Sequence, residues 1–234
     1  SIVPGLGTAF IHPGWVTQIV NLLYRLSLKK SIRVGFENSD DLDLFKSRKM
    51  IEPRQGFRIA GPGVDTKKFR FTELPNNEVP IILFAGRLVW EKGLFELIKA
   101  IEDLQNKQKQ FRVQVLGPLD SGNPRSVGID NINGWVERRL IEYLGETNDV
   151  RPYIRQADCV VLPSYREGLP GVLLEACAIG RPMIATNVPG CNEIILATKS
   201  IGCEPRSVRS LSDAIERFLA LSHEERKVIA QNAR

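Results

Sequence analysis

Residues 158–186 read DCVVLPSYREGLPGVLLEACAIGRPMIAT, and this stretch decides the fold. Asp158 to Leu162 is an apolar run typical of a buried strand, Pro170 to Ile179 is a helical segment, and Pro182 to Thr186 is a second apolar run. Pro170 suits the first turn of a helix, where its missing N–H would have no partner in any case. The stretch therefore predicts a strand, a helix and a parallel strand.

The same alternation extends along most of the chain. Further strands are predicted at 81–86, 111–116 and 141–144, and further helices at 94–104, 150–156, 207–219 and from 222 to the end. Short strands separated by helices predict an α/β fold with a parallel sheet.

Residues 1–65 have a different character. They predict a helix with an apolar face from Val16 to Leu26, a strand from Ile32 to Phe36, and a short helix from Asp40 to Lys46 capped by Asn38 or Ser39. A Gly-Pro-Gly turn at 61–63 and a polar stretch at 73–80 are loop signals. We therefore predict one domain part at 1–65, a linker at 66–80 and a second domain at 81–234.

The composition excludes several classes of protein. Of the 234 residues, 43% are hydrophobic and 25% are charged, which excludes a disordered chain, collagen and a disulfide scaffold. The longest apolar run, Ile81 to Ala85, is far shorter than the roughly 20 residues of a transmembrane helix.

The cysteines and the charge distribution suggest where the protein works. Cys159, Cys177, Cys191 and Cys203 form no C-x-x-C pair, so we expect neither a zinc site nor disulfides, and we expect Cys159 to be a reduced core residue. Residues 1–70 contain 12 Lys and Arg against 6 Asp and Glu, whereas residues 71–234 contain 20 against 21, so the net charge of +5 comes from the N-terminal part. The cysteines predict a cytoplasmic protein, and the basic N-terminal part predicts attraction to an anionic surface. We expect that surface to be phospholipid and not nucleic acid, because the basic residues do not alternate with aromatic residues that could stack on bases.

The predicted helix at 16–26 allows two readings. Its apolar stripe with Arg25, Lys29, Lys30 and Arg33 matches a helix lying on an anionic leaflet. Alternatively, the stripe packs against the rest of its own domain and the cations are merely solvated.

Candidate site residues follow two of the predicted strands. Gly171 and Val172 are the first amides of the helix after Pro170, which is a ready anion site, and two carboxylates, Glu167 and Glu175, flank them. Arg87, with Lys92 close behind, follows the strand at 81–86, at the edge where parallel sheets bind ligands. Two cations there could hold a diphosphate, and two acceptors beside a phosphate cradle suit a sugar and a ribose.

These motifs resemble the C-terminal half of the family 4 retaining glycosyltransferases. The resemblance rests on four segments: Gly86-Arg-x-x-x-Glu-Lys-Gly93, Pro163-Ser-Tyr-Arg-Glu-Gly-Leu-Pro170, Leu174-Glu-Ala176 and Pro189-Gly-Cys-Asn-Glu193. Gly5-Leu-Gly-Thr-Ala-Phe10 and Phe36-Glu-Asn-Ser-Asp-Asp41 further resemble the branch that builds bacterial O-antigen and capsule on a polyprenyl-diphosphate lipid. The resemblance implies a GT-B fold, with a C-terminal Rossmann-like domain and the remnant of an N-terminal one.

The resemblance also implies roles for particular residues. Arg87 and Lys92 would hold the diphosphate of a UDP-sugar and act in catalysis together with Glu167, which would hydrogen-bond the transferred sugar. Glu175 would bind the ribose. The remaining donor-binding residues would be Gly168, Leu169, Gly171 and Val172.

Relatives need no metal, because protein cations replace it, and no other cofactor is implied. The one D-x-D run, Asp41-Leu-Asp43, lies in a short polar helix, where capping or solvation explains it better than metal binding. Relatives also place a histidine near the reacting sugar and have a complete N-terminal domain. Here the corresponding region has no histidine before His12, which Pro13 follows as in a loop.

The resulting expectation is an enzyme at the inner face of the cytoplasmic membrane. It would transfer a sugar from a UDP-sugar to a polyprenyl-diphosphate-linked acceptor with retention. Two alternatives stay open: a fragment that binds nucleotide-sugar without turnover, and a sugar-nucleotide epimerase of the same fold.

Overall fold

The computed structural model describes residues 1–6, 10, 14–59, 61–120 and 122–232. The chain forms two compact units. The first comprises Ser1–Gly63, Arg166–Pro170 and Val188–Gly190, and the second comprises Val64–Tyr165, Gly171–Asn187 and Cys191–Arg234. Two short segments from late in the chain thus pack with the N-terminal unit.

The first unit contains a small parallel sheet. Its strands are β1 (Ile2–Val3), β2 (Val34–Phe36) and β3 (Gly56–Arg58), and its helices are α1 (Trp15–Leu28) and α2 (Ser39–Ser47). Each helix connects two neighbouring parallel strands, as in a Rossmann-like domain. The core is aromatic, with Phe36 and Phe45 fully buried and their ring centroids 4.9 Å apart.

Helix α1 turns its most apolar face outward. Thr17 and Leu28 are buried against the unit, whereas Leu23 is 58% exposed and Leu26 is 62% exposed. The exposed apolar residues of α1 are Trp15, Val16, Ile19, Leu22, Leu23 and Leu26. The described residues therefore leave this stripe exposed.

The second unit is built on a six-stranded parallel sheet with the order β6-β5-β4-β7-β8-β9. The strands are β4 (Ile81–Ala85), β5 (Arg112–Leu116), β6 (Glu142–Tyr143), β7 (Cys159–Leu162), β8 (Met183–Thr186) and β9 (Ile201–Cys203). The helices are α3 (Leu94–Asn106), α4 (Ile129–Glu137), α5 (Arg151–Gln156), α6 (Gly171–Ile179), α7 (Cys191–Thr198), α8 (Val208–Ala220) and α9 (His223–Asn232).

The strand order fixes where a ligand can bind. The chain runs from β4 outward through β5 to β6, then returns to β7 on the other side of β4. The order therefore reverses between β4 and β7, and open parallel sheets bind ligands at the carboxyl ends of strands beside such a point.

The structure confirms most of the elements predicted for the second unit, with ends shifted by one or two residues. The confirmed strands are those predicted at 81–86, 111–116, 158–162 and 182–186, and the confirmed helices are those predicted at 94–104, 150–156, 170–179 and 207–219. Asn38 caps α2, since its Oδ1 accepts the Asp41 N–H at 2.8 Å. The sequence did not predict α4, α7, β9 or the short strands β1 and β3. Cys159 is buried in β7 as a free thiol, as predicted, and burial raises its pKa.

Among the described residues, no helix is both long enough and apolar enough to cross a bilayer.

Candidate functional site

A cavity of about 240 Å³ opens at the carboxyl ends of β4 and β5, beside the switch point. Segments that follow three strands line it, together with one face of α6. The described lining residues are Ala85, Gly86, Arg87, Leu116, Gly117, Pro118, Thr147, Val150, Val172 and Glu175. The cavity lies where the strand order predicts a ligand site.

Gly117 allows two of these segments to come close together. Its φ is +155°, and a Cβ atom at this position would overlap the carbonyl oxygen of Gly86. Only glycine lets the turns after β4 and β5 approach this closely. The floor of the cavity therefore depends on a residue without a side chain.

Arg87 supplies positive charge to the cavity. It lies two residues after the end of β4, is solvent-exposed, and is the one cation among the described lining residues. A guanidinium at this place can hold two phosphate oxygens at once. The sequence predicted this placement.

Lys92 is the second cation that the sequence predicted at this edge of the sheet. It lies in a single 3-10 turn, Trp90–Lys92, is partly buried, and is not among the residues that line the cavity. Gly93 ends this turn with a φ of +76°, and a Cβ atom there would overlap the carbonyl oxygen of Pro163. Close packing against Pro163 at the end of β7 therefore explains why the Gly86–Gly93 motif ends in a glycine.

Helix α6 presents Val172 and Glu175 to the cavity, because residues three apart share a helix face. Glu175 is partly buried, and burial raises the pKa of its carboxyl group. Gly171 begins the helix and is exposed. The structure thus brings Arg87, Val172 and Glu175 around one cavity, and Gly171 adjoins it in sequence only.

Tyr165 anchors the start of the loop between β7 and α6. Its phenol donates to both carboxylate oxygens of Glu96 at 2.9 and 3.0 Å, and the guanidinium carbon of Arg206 lies 4.7 Å from its ring centroid. Burial, followed by the neighbouring Glu96, raises the pKa of Tyr165 to about 12. Sequence reasoning missed Glu96, although an acidic residue between Phe95 and Leu97 was a signal.

The rest of this loop, Arg166–Pro170, belongs to the first unit. It carries three of the predicted site residues, Glu167, Gly168 and Leu169. The carbonyl oxygen of Gly168 accepts a hydrogen bond from Asn38 Nδ2 at 3.1 Å. These residues therefore belong to a different unit from Arg87 and Glu175.

The structure corrects the interpretation of the D-x-D run. Asp41 is neither a cap nor solvated: it is fully buried and forms an ion pair with Arg166, while Asn38 caps the helix. Asp43 is exposed, as predicted. Within the described ranges, no group of three or more His, Cys, Asp or Glu side chains is arranged to hold a metal ion.

Two of the sequence predictions concern residues that the structure does not describe. His12 and its neighbour Pro13 lie outside the described residues, as do positions 7–9 of the Gly5 to Phe10 motif.

The family model described as Glycosyl transferases group 1 matches residues 65–234. The chain belongs to this family of glycosyltransferases. The group 1 glycosyltransferase chain is 28% identical over 251 residues to the N,N'-diacetylbacillosaminyl-diphospho-undecaprenol alpha-1,3-N-acetylgalactosaminyltransferase of Campylobacter jejuni, covering 100% of this chain and 64% of that protein. It is 30% identical over 216 residues to the putative colanic acid biosynthesis glycosyltransferase WcaL of Escherichia coli, covering 83% of this chain and 50% of that protein. The chain therefore spans less than two thirds of these relatives.

A solved structure confirms the fold of this group 1 glycosyltransferase chain. Anabaena HepE in complex with UDP superposes with a TM-score of 0.77 at 17% identity, covering 91% of this chain and 62% of that chain. The expected α/β fold of the GT-B type, with Rossmann-like parallel sheets, is confirmed.

Proposed function

We propose that the intact protein is a retaining glycosyltransferase of bacterial surface polysaccharide biosynthesis, such as that of O-antigen or capsule. It transfers a sugar from a UDP-sugar to a polyprenyl-diphosphate-linked acceptor. The observation that carries the proposal is the cavity at the switch point, which combines Arg87 with Glu175. A relative named for a diphospho-undecaprenol acceptor and one named for colanic acid biosynthesis support the choice of acceptor class.

The cavity suits the nucleotide end of the donor. Arg87 faces the diphosphate, the backbone N–H groups of Gly171 and Val172 at the start of α6 donate to a phosphate oxygen, and the Glu175 carboxylate accepts hydrogen bonds from the ribose hydroxyls. The complex of HepE with UDP supports this choice of nucleotide.

The remaining predicted residues act on the transferred sugar and the leaving group. Lys92 is the second cation for the diphosphate, and Glu167 hydrogen-bonds the sugar hydroxyls while Gly168 and Leu169 contribute backbone groups. Arg87 and Lys92 stabilise the charge that develops on the leaving UDP, so transfer requires no metal ion.

The reaction balances without another reactant. The acceptor hydroxyl oxygen forms a bond to the anomeric carbon as the bond to the UDP oxygen breaks. The leaving diphosphate takes the hydroxyl proton on the same face of the sugar. Retention follows because departure and attack share that face.

The test uses the full-length protein, a panel of UDP-sugars and polyprenyl-diphosphate acceptors. We expect a product with the anomeric configuration of the donor, determined by NMR, and a large loss of transfer in Arg87→Met. Arg112→Met is the matched control, because Arg112 is exposed and pairs with Glu142 away from the cavity. Binding of a UDP-sugar without any product would favour nucleotide-sugar binding without turnover. Free UDP released in the absence of an acceptor would favour the sugar-nucleotide epimerase.

An anionic membrane is the expected partner of the first unit. The outward stripe of α1 ends at Lys29 and Lys30, both exposed, and the helix contains no acidic residue. An apolar face beside cations matches a helix that lies in the headgroup layer. Since a polyprenyl diphosphate stays in the bilayer, we propose that the protein works at the inner face of the cytoplasmic membrane.

A further inference from the structure

The run Glu37-Asn38-Ser39-Asp40-Asp41 has no role in the donor site proposed above. It follows β2 and includes the first residues of α2 in the first unit, and both Asn38 and Asp41 are fully buried. Three of its side chains contact the loop at 166–170, on both sides of Glu167. We call these three residues, Glu37, Asn38 and Asp41, the clamp.

Asn38 holds the residue after Glu167. Its Oδ1 accepts the Asp41 N–H, and its Nδ2 donates both to Asp41 Oδ2 at 3.1 Å and to the Gly168 carbonyl at 3.1 Å. These contacts fix the orientation of the Asn38 amide group. If its oxygen and nitrogen exchanged places, each contact would pair two donors or two acceptors.

Asp41 holds the residue before Glu167. Its Oδ1 accepts from Nη2 of Arg166 in an ion pair whose side chains are 1% and 16% exposed. A buried carboxylate left without this partner is unfavourable, so the two side chains constrain each other strongly.

Glu37 holds the second residue after Glu167. Its carboxylate accepts the backbone N–H of Leu169, and its pKa is raised by burial and then by the nearby Asp41. Close packing completes the arrangement, because a Cβ atom on Gly168 would overlap the Pro4 carbonyl oxygen and come within 3.1 Å of Glu37 Oε2.

We propose that Glu37, Asn38 and Asp41 are positioning residues that fix the backbone on either side of Glu167. Their effect is to present the Glu167 carboxylate in one orientation toward the transferred sugar. This inference rests on the proposed function, in which Glu167 contacts that sugar.

The first experiment measures the clamp directly, by hydrogen exchange of the intact protein. Asn38→Asp keeps the cap oxygen of α2 but places a second oxygen against the Gly168 carbonyl and Asp41. We expect peptides covering 166–170 to exchange about tenfold faster or more in Asn38→Asp and Asp41→Asn, since each loses at least one buried hydrogen bond. Asp43→Asn, on the exposed side of the same helix, is the matched control and should leave exchange unchanged.

The second experiment separates positioning from a general structural role. Calorimetry gives the affinities for UDP and for the tightest-binding member of a panel of UDP-N-acetylglucosamine, UDP-N-acetylgalactosamine, UDP-glucose and UDP-galactose. The ratio of the two affinities is the contribution of the sugar. We expect Asp41→Asn to reduce this ratio as much as Glu167→Gln does, and to have no further effect in the double variant.

Each result bears on the inference. Unchanged exchange of 166–170 in a folded Asp41→Asn protein overturns it, as do additive losses in the double variant. If Asn38→Asp does not fold, Asp41→Asn and Asn38→Ser carry the same comparison. A wild-type protein that binds no UDP would overturn the proposed function and the role toward the sugar, whereas the exchange result would still decide whether the clamp holds the loop.

Discussion

Replacing Arg181 should destabilise the second unit more than any exposed arginine does. The side chain is fully buried, and its hydrogen bonds within the described part of the chain go to carbonyl and hydroxyl oxygens. Its guanidinium donates to backbone carbonyls from three parts of the unit: the segment before β4, the end of α5 and the end of α6. The acceptors are the carbonyls of Thr72, Glu73, Ile154, Arg155, Ile179 and Gly180 and the Thr72 hydroxyl, at 2.7 to 3.2 Å.

The magnitude follows from what Arg181→Met leaves behind. Hydrogen bonds to a charged group contribute about 1.5–3 kcal/mol each, but burying the cation costs several kcal/mol, so the sum is far smaller than seven bonds suggest. Burial lowers the pKa of Arg181 to about 10, so the group remains charged at neutral pH. Methionine fills the space but leaves the carbonyls without a donor, and we expect a loss of about 3–5 kcal/mol, as when one partner of a buried charged network is removed.

Urea unfolding followed by tryptophan fluorescence measures this loss. Trp90 and Trp135 report on the second unit, with ring centroids 6.2 Å apart, and Trp15→Phe removes the signal of the first unit. With a slope of about 2 kcal/mol per molar urea, the midpoint should fall by about 1.5–2.5 M.

Arg112→Met is the matched control. Its side chain is 48% exposed and pairs with Glu142, so the loss should be about 1 kcal/mol or less. Arg181→Lys should lie between the two, because an ammonium keeps the charge with only three donors. Equal midpoints for Arg181→Met and Arg112→Met would refute the reasoning.

Three further outcomes are expected. Glu175→Ala should weaken UDP binding, measured by calorimetry, about 10- to 100-fold. Because burial raises the Glu175 pKa, the affinity of the wild-type protein for UDP should fall as the pH drops through that raised pKa. Glu175→Gln should lack this pH dependence. Transfer by the full-length protein should survive EDTA, and activity lost in EDTA and restored by Mg²⁺ or Mn²⁺ would contradict metal independence. The double variant Lys29→Glu, Lys30→Glu should co-sediment less with anionic vesicles at low salt, since each surface cation adds about 1 kcal/mol of membrane binding. The double variant Lys67→Glu, Lys68→Glu is the control. Equal pelleting of the wild-type protein with neutral and anionic vesicles would disprove electrostatic attraction to the membrane.

The order of strands and helices in the second unit could be predicted from sequence because its larger elements have clear periods. β4 is a continuous apolar run, and α3 repeats apolar residues at helical spacing. The elements that were missed are short or lack this contrast. β1 has two residues, and α4 contains Asn131, Asn133 and Gly134, which favour turns.

The candidate site was predictable only in part. Arg87 and Glu175 were found because both follow predicted strands, so topology alone brings them to one sheet edge. Lys92 was placed beside Arg87 because the two are close in sequence, but Lys92 lies in the 3-10 turn that follows, and only Arg87 lines the cavity. The partners of the loop at 166–170 could not be found, since Asn38 and Gly168 are 130 positions apart and no local pattern joins them.

The packing of Arg166–Pro170 with the first unit has a consequence for how this protein varies and how it can be recombined. The family match begins at residue 65, yet Asp41 lies before that boundary and Arg166 lies 125 positions later along the chain. A chimera joined at residue 65 would combine the residue at position 41 of one parent with the residue at position 166 of the other. Charge at the two positions should therefore change together among homologues, and chimeras should function only when both halves of this pair come from compatible parents.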